Sequence, residues 1–400
     1  MPDARRIAQR LQALWTIAHG PAGGADRPAY SVAEADAMLL VAGWAAELEL
    51  EPGIDAYGNL WALPRDWAGP VVTSGSHVDT VPDGGRYDGA LGTVLGLELV
   101  SDLRHSTGDT RAGLLVCAAE EAPRFSAGTI GSRLLAGSLS PTTLHELRDA
   151  AGITAAAALD AYLERLAALP RVAPPVARLR AHAEVHVAQR RALRELGVVV
   201  TVASPRRWVV TITGESGHAG EVSMAQRHDA LAAAAEVVLA VEAAAGAEPA
   251  ETVATVGTIE IVPGAVSVIP GQARLGIDVR GTSGPSLTRV DTAIRTAVAE
   301  IAQRRGVAAE ANLVRAGEPV TMDPRLAHAA LSAAAARGIQ ATETWSGAGH
   351  DAQHLAGLVP TLLLFVPLHG GESHTPAEDA DMDEIVQTAR VLAAVLNDRG

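Results

Sequence analysis

Residues Ser74 to Gly92 read S-G-S-H-V-D-T-V-P-D-G-G-R-Y-D-G-A-L-G, a glycine-rich polar loop that follows an apolar run. Val71 and Val72 end a buried strand in this reading. His77 and Asp79 then fall just past its carboxyl end, where open α/β sheets place their sites. His77 offers an imidazole nitrogen to a divalent ion, and Asp79 is positioned to orient that ring from behind. Asp88 arrives on a turn built by Gly84, Gly85 and Gly89, where one carboxylate can touch two ions. The stretch reads as a metal site hung on a sheet edge.

The periodicity on either side of the loop alternates. Helical spacing covers residues 4–18 and 31–50, and β-like runs cover 58–63 and 71–75. A helix follows at 91–104, a buried strand at 112–119, and helical spacing again at 140–169. That order predicts an α/β fold with a mixed, mostly parallel sheet. Residues 206–314 read differently. Strand 208–213, helix 226–244, strands 252–261 and 272–280, helix 286–304 and strand 307–313 spell β-α-β-β-α-β, the pattern of a small ferredoxin-like α+β unit. The α/β pattern resumes with a helix at 324–337, a strand at 360–366 and a helix at 383–397. The expected organisation is a catalytic metal-binding domain of residues 1–205 and 318–400, interrupted by a domain of residues 206–317. Ligands commonly bind between such domains.

Composition narrows the chemistry. A chain of 400 residues can bury a large core. It contains no run of roughly 18 apolar residues, and its first ten residues carry charges without an apolar signal core, so a soluble cytoplasmic protein is expected. The net charge of −14 argues against nucleic acid or an anionic membrane as the main partner. Cys117 is the single cysteine, which rules out an internal disulfide framework and most thiolate metal sites. No lysine is present, so Schiff-base chemistry, pyridoxal catalysis and a Walker phosphate loop are excluded.

Further candidate ligands lie downstream. The apolar strand over residues 114–119 delivers Glu120 and Glu121, and adjacent residues at a strand end point to different sides. One can hold a metal while its neighbour faces the reacting water. A-H-A-E-V-H-V places His182, Glu184 and His186 on one strand face, either as ligands or as an ordinary polar surface. G-G-E-S-H-T-P, residues 370–376, offers His374 in another glycine-bearing loop. The set His77, Asp88, Glu120-Glu121, His186 and His374 matches a two-metal hydrolase in which the ions share Asp88, about 3.5–4 Å apart. Nitrogen and oxygen donors without thiolate suit two divalent ions among zinc, manganese, cobalt and nickel.

These motifs together resemble the M20 family of metallopeptidases, and within it the hydantoinase/carbamoylase amidase branch. That branch contains N-carbamoyl-L-amino acid hydrolases and allantoate amidohydrolases. The resemblance also rests on E-E-A-P-R-F-S-A-G-T-I-G-S-R-L-L-A-G from Glu120, E-V-H-V-A-Q from Glu184 and G-H-A-G from Gly217. It continues with P-G-A-V-S-V-I-P from Pro263, I-D-V-R from Ile277 and S-G-A-G-H-D-A from Ser346. It implies that His77, Asp88 and His186 hold one ion, and Asp88, Glu121 and His374 the other, with Glu120 as general base. It implies that His218 stabilises the oxyanion across a dimer interface and that Gln189 and Arg280 bind the substrate. Ser267 and His350, within matching motifs, join the substrate contacts. The inserted domain would serve as lid and dimerisation domain of a homodimer.

Two departures stand out. Where the branch reads H-I-E-Q-G-P, this chain has His186, Val187, Ala188, Gln189, Arg190 and Arg191, so a carboxylate and a Gly-Pro turn are lost and two guanidiniums appear. Ser267 replaces the branch's asparagine. The expected activity is hydrolysis of a linear C–N bond in a small amide or ureido acid such as an N-carbamoyl- or N-acyl-amino acid. A dipeptidase or aminopeptidase is the nearest alternative, and a non-catalytic scaffold that kept its metals is another.

Overall fold

The structure is a computed structural model that describes residues 2–65, 68–107, 111–189 and 192–397. Arg190 and Arg191 lie outside the described residues. The chain opens with α1 (Ala4–Trp15), α2 (Val32–Glu47), β1 (Leu50–Ile54), β2 (Leu60–Pro64), β3 (Val71–Ser74), α3 (Ala90–Thr107) and β4 (Ala112–Val116). Next come α4 (Ile130–Leu135), α5 (Ala155–Arg165), β5 (Leu179–Val187), β6 (Leu196–Val202), β7 (Arg206–Thr213), β8 (Gly217–His218) and α6 (Ala230–Gly246). They are followed by β9 (Val253–Val262), β10 (Val268–Ile269), β11 (Gln272–Arg280), α7 (Gly284–Arg305) and β12 (Ala308–Ala316). The chain closes with β13 (Val320–Thr321), α8 (Pro324–Ala335), β14 (Ala341–Ser346), α9 (Asp351–Leu355), β15 (Thr361–Val366) and α10 (Met382–Asn397). Among the described residues no helix is long and apolar enough to cross a membrane.

Two compact units emerge. The first comprises Met1–Val200, Thr321–Trp345 and Gly349–Gly400, and the second comprises Thr201–Val320 with Ser346–Ala348. The first is built on a nine-stranded mixed sheet of order β1-β2-β4-β3-β5-β15-β6-β13, with β14 paired to β6. At its centre β4, β3, β5 and β15 are mutually parallel, while β1, β2 and β6 join antiparallel. A parallel sheet covered on both faces selects unbroken apolar strands, and A-G-L-L-V of β4 and T-L-L-L-F-V of β15 are buried throughout. Successive side chains still alternate. Leu114 and Val116 enter the main core, whereas Leu115 and Cys117 pack on the opposite face with Trp61 and Leu355.

Strand β5 carries the most consequential alternation. Ala181, Ala183, Val185 and Val187 join the main core. On the other face His182, Glu184 and His186 are buried at 1, 0 and 2 % exposure. The ordinary polar surface is therefore excluded for this face. Its polar groups meet partners instead: His182 Nδ1 lies 3.0 Å from Thr73 Oγ1, and Glu184 accepts from Ser76 Oγ at 2.7 Å and from the Ala352 N–H at 2.7 Å.

Two helical expectations need correction. Residues 140–169 do not form a continuous helix: a short 3-10 turn at Pro141–His145 gives way to a loop before α5 begins. The loop is fixed by Asp149 Oδ1, which accepts the Ala151 and Ile153 N–H groups, with Gly152 at φ +83. The helix expected over 31–50 stops at Glu47, and β1 starts at Leu50, because Pro52 and Gly53 suit extended backbone better than a helix interior.

In the second unit the order β7-α6-β9-β11-α7-β12 builds an antiparallel sheet of order β12-β7-β11-β9. Trp208, Val210, Ile212, Leu275 and Ile277 pack against Val237 of α6 and against Val290 and Ile294 of α7. Trp208 Nε1 donates to Asp291 Oδ1 at 2.9 Å, so the buried indole keeps a polar partner.

Burial drives the His182 pKa down to about 3, against 6.5 for an ordinary histidine. The unfolded chain therefore takes up a proton that the native state refuses, and stability present above about pH 6.5 is lost as pH falls toward 3. His182→Asn is expected to shrink the difference in thermal midpoint between pH 7 and pH 5. Melts of both proteins at the two pH values check this, and an unaltered difference contradicts it.

Candidate metal centre

The centre is assembled where the parallel strands end. The chain leaves β3 and places His77 beside Cys117 in a short bridge that extends the β3–β4 pairing. After β4, Ala119 turns the backbone at φ +54 and sends out Glu120 and Glu121. Three consecutive N–H groups at this turn are held by two buried carboxylates. Ala119 donates to Glu34 Oε1 at 2.8 Å, Glu120 to Asp79 Oδ1 at 3.1 Å, and Glu121 to Asp79 Oδ2 at 2.8 Å. The same Asp79 lies 3.3 Å from His77 Nδ1.

Both imidazoles at the centre have their tautomers set from behind. His77 Nδ1 donates to the Asp79 carbonyl at 3.1 Å, and His186 Nδ1 to the Val187 carbonyl at 3.2 Å. Their Nε2 atoms are left to face each other at 3.4 Å. Asp88 Oδ1 completes the group, 3.0 Å from His186 Nε2 and 3.6 Å from His77 Nε2. Its second oxygen, Oδ2, lies 3.1 Å from His374 Nε2, which is 3.7 Å from Glu121 Oε1. Thus His77, Asp88 and His186 form one set of converging donors, and Asp88, Glu121 and His374 form a second.

The donor chemistry fits divalent cations. Three ligands placed tetrahedrally at about 2.0–2.1 Å from an ion stand roughly 3.3 Å apart, close to the separations of the first set. Two imidazole lone pairs and a carboxylate aimed at one point repel each other unless a cation lies between them. A third grouping, Glu184, His186 and His350, also converges. Both oxygens of Glu184 are already engaged there by Ser76 and Ala352. His350 is buried, edge-on to the His186 ring with centroids 4.6 Å apart.

The electrostatics follow from burial and crowding. Burial works to raise Asp88, yet the three imidazoles, His186 first, hold it well below the ordinary carboxylate value. His374 is lifted to about 9, chiefly by its contact with Asp88. Burial pushes Glu120 well up, with the Glu121 charge adding and His77 opposing. Glu121 rises to about 7 through burial and then Asp88. Negative potential is concentrated where cations would be held.

Two glycines of the loop are there for space. A Cβ on Gly89 would lie 2.4 Å from the His77 ring, and one on Gly85 would lie 2.1 Å from Glu378 Oε1. Glu378 is a residue that the sequence reading missed. Its Oε1 accepts the Tyr87 and Asp88 N–H groups at 2.7 and 3.0 Å, and its Oε2 accepts from Ser373 Oγ at 2.9 Å. Ser373 Oγ also lies 3.1 Å from Asp88 Oδ2, so its one proton is shared between the two carboxylates. The clamp ties the Asp88 loop to the His374 loop. The only hint in sequence was a carboxylate four residues after His374. Glu34 was equally hidden, because S-V-A-E from Ser31 reads as a helix cap.

The remaining candidates are placed as follows. The Gln189 amide nitrogen is 3.3 Å from Asp88 Oδ2 and 3.2 Å from His374 Nε2. It borders, with Ser373 and His374, a cavity of about 350 Å3. His218, Ser267 and Arg280 belong to the second unit. His218 is exposed on β8, opposite Val268, and Ala219 N–H donates to the Ser267 carbonyl at 3.0 Å, so one small ladder brings His218 and Ser267 together. Arg280 ends β11, donating to Asp278 Oδ1 at 2.8 Å and to the Gly347 carbonyl at 2.9 Å.

A match to peptidase family M20/M25/M40 covers residues 73–398. The chain belongs to this family. It is 34 % identical over 401 residues to an N-carbamoyl-L-amino acid amidohydrolase of Geobacillus stearothermophilus, covering 98 % of this chain and 97 % of that one. It is 32 % identical to an allantoate amidohydrolase of Bacillus subtilis, with 96 and 95 % covered. Among solved structures it resembles a hydantoinase/carbamoylase family amidase from Burkholderia multivorans, with a TM-score of 0.87, 32 % identity and 99 and 97 % coverage.

Glu378→Ala is expected to weaken binding of zinc or manganese by roughly 10- to 100-fold, the usual effect of losing a group that orients ligands. Titration of the metal-free protein against a competing chelator measures it. Unchanged affinity would remove the clamp from the account of this centre.

Proposed function

We propose that the chain is a binuclear metal-dependent amidohydrolase that cleaves the linear amide or ureido bond of an N-carbamoyl- or N-acyl-amino acid. The chain is a hydrolase of carbon–nitrogen bonds in linear amides, as its relatives are. The observation that carries this reading is Asp88, whose two oxygens each face a different set of converging donors.

His77, Asp88 and His186 would hold one ion, and Asp88, Glu121 and His374 the other. Divalent cations held there, whether zinc, manganese, cobalt or nickel, would supply Lewis acidity toward the scissile carbonyl and the attacking water. Glu120, buried and 3.9 Å from His77 Nε2, takes the proton of the attacking water and delivers it to the departing nitrogen as the C–N bond breaks. Asp79 keeps Glu120 and His77 in register through the backbone. In the second unit Arg280 is a planar, permanently charged group suited to a carboxylate, and His218 is an exposed donor for a developing oxyanion. That unit acts as lid and dimerisation domain of a homodimer.

A screen of the metal-reconstituted protein against N-carbamoyl, N-formyl, N-acetyl and N-succinyl amino acids, allantoate and free dipeptides tests the reading. Turnover is expected on the carbamoyl or acyl compounds, whereas cleavage confined to dipeptides would make the protein a peptidase. Glu120→Gln should lower kcat by about 10²- to 10⁴-fold with metal content preserved. A variant as fast as the wild type would deny Glu120 the role of base.

A further inference from the structure

A second cavity, of about 680 Å3, borders the centre on the side of Glu121. It is walled by the loops that follow β3 and β4, through Thr80, Pro82 and Pro123, and by the entry to α2 and one face of α5. The loops after β3 and β4 leave the same end of the parallel strands that delivers His77 and Glu120.

The wall chemistry is apolar and open. Ala157 and Ala161, one helical turn apart on α5, present methyl groups where any larger residue would fill the space. Val32 and Ile153 also line the cavity and are 65 and 44 % exposed, large apolar side chains in contact with water. Glu121 aside, charge in the wall is cancelled internally. Arg124 pairs with Asp149 at 3.2 Å and donates Nη1 to the Ala29 carbonyl at 2.7 Å. An anionic group entering here would have to displace Asp149, whereas an apolar group would cover Val32, Ile153 and the alanines.

We propose that this cavity is the specificity pocket, receiving the apolar side chain of the substrate amino acid while its amide carbon lies at the donor cluster beside Glu121. The proposal deepens the amidohydrolase reading and rests on it. The volume falls within the range of small-molecule pockets and exceeds what an aliphatic side chain needs, so an aromatic ring is accepted too. The division of labour follows from the walls: polar recognition beside Gln189, apolar recognition at α5.

The test compares N-carbamoyl-L-phenylalanine with N-carbamoylglycine on the metal-loaded wild type, Ala157→Trp and Ala161→Trp. Both alanines are exposed on a helix surface, so the variants should fold. In at least one of them kcat/KM for the phenylalanine compound should fall tenfold or more through KM, with the glycine compound within twofold of wild type. An unchanged ratio in both variants, or an equal loss on both substrates, would overturn the pocket. Wild-type turnover of N-carbamoylglycine reports separately on the amidohydrolase reading. Should turnover be absent, calorimetric affinity of Glu120→Gln protein for N-carbamoyl-L-phenylalanine, with and without Ala157→Trp, still decides the pocket. A tenfold weakening supports it and an unchanged affinity refutes it.

Discussion

The buried carboxylate of Asp79 is shared by two loops that leave adjacent parallel strands. It faces His77 Nδ1 and accepts the N–H groups of both Glu120 and Glu121. A carboxylate so enclosed is costly to bury unless its oxygens are satisfied, and here the satisfaction comes from the residues whose positions matter. One side chain thus fixes the direction of an imidazole and the exit of two further carboxylates. Glu34 extends the arrangement by holding the preceding N–H at Ala119, where the backbone is in the left-handed region. Strain at that turn is offset by two buried acids that belong to neither set of converging donors.

Glu378 solves a different problem. Asp88 and His374 are separated by most of the chain, and their loops have no regular secondary structure to align them. A single carboxylate accepting two N–H groups from one loop and a hydroxyl from the other sets their spacing. The glycine at position 85 is required because the carboxylate sits where a Cβ would be. Loops that carry donors are therefore tied to one another by short, charge-assisted hydrogen bonds, which are stronger and more directional than neutral ones.

The two cavities at the centre differ in character for a reason visible in their walls. At His374 the lining is Gln189, Ser373 and the histidine itself, all capable of hydrogen bonding. At Glu121 the lining is mostly alanine, proline, valine and isoleucine, with Tyr30, Ser31 and Thr80 among them and Arg124 neutralised by Asp149. A polar head and an apolar tail would find opposite surroundings on either side of one set of donors. The second unit, with its own core around Trp208, carries His218, Ser267 and Arg280 on a separate scaffold.

Much was legible from residues alone, and the physical reasons are specific. Unbroken apolar runs marked β4 and β15, because a strand buried on both faces excludes unpaired polar residues. The loop from Ser74 to Gly92 announced donors, since His, Asp and clustered Gly have few other reasons to occur together after a buried strand. Local signals misled where turn chemistry overrode helical composition, as in residues 140–169, where Asp149 and Gly152 close a loop. The sequence by itself determined the fold class, the family and the donor types. Tertiary structure alone decided that β5 turns His182, Glu184 and His186 inward, that Asp88 divides its oxygens between two donor sets, and that Glu378 and Glu34 brace the centre. Those outcomes depend on which side chains from distant loops meet at a strand end, and pairings of that kind leave no periodic trace along the chain.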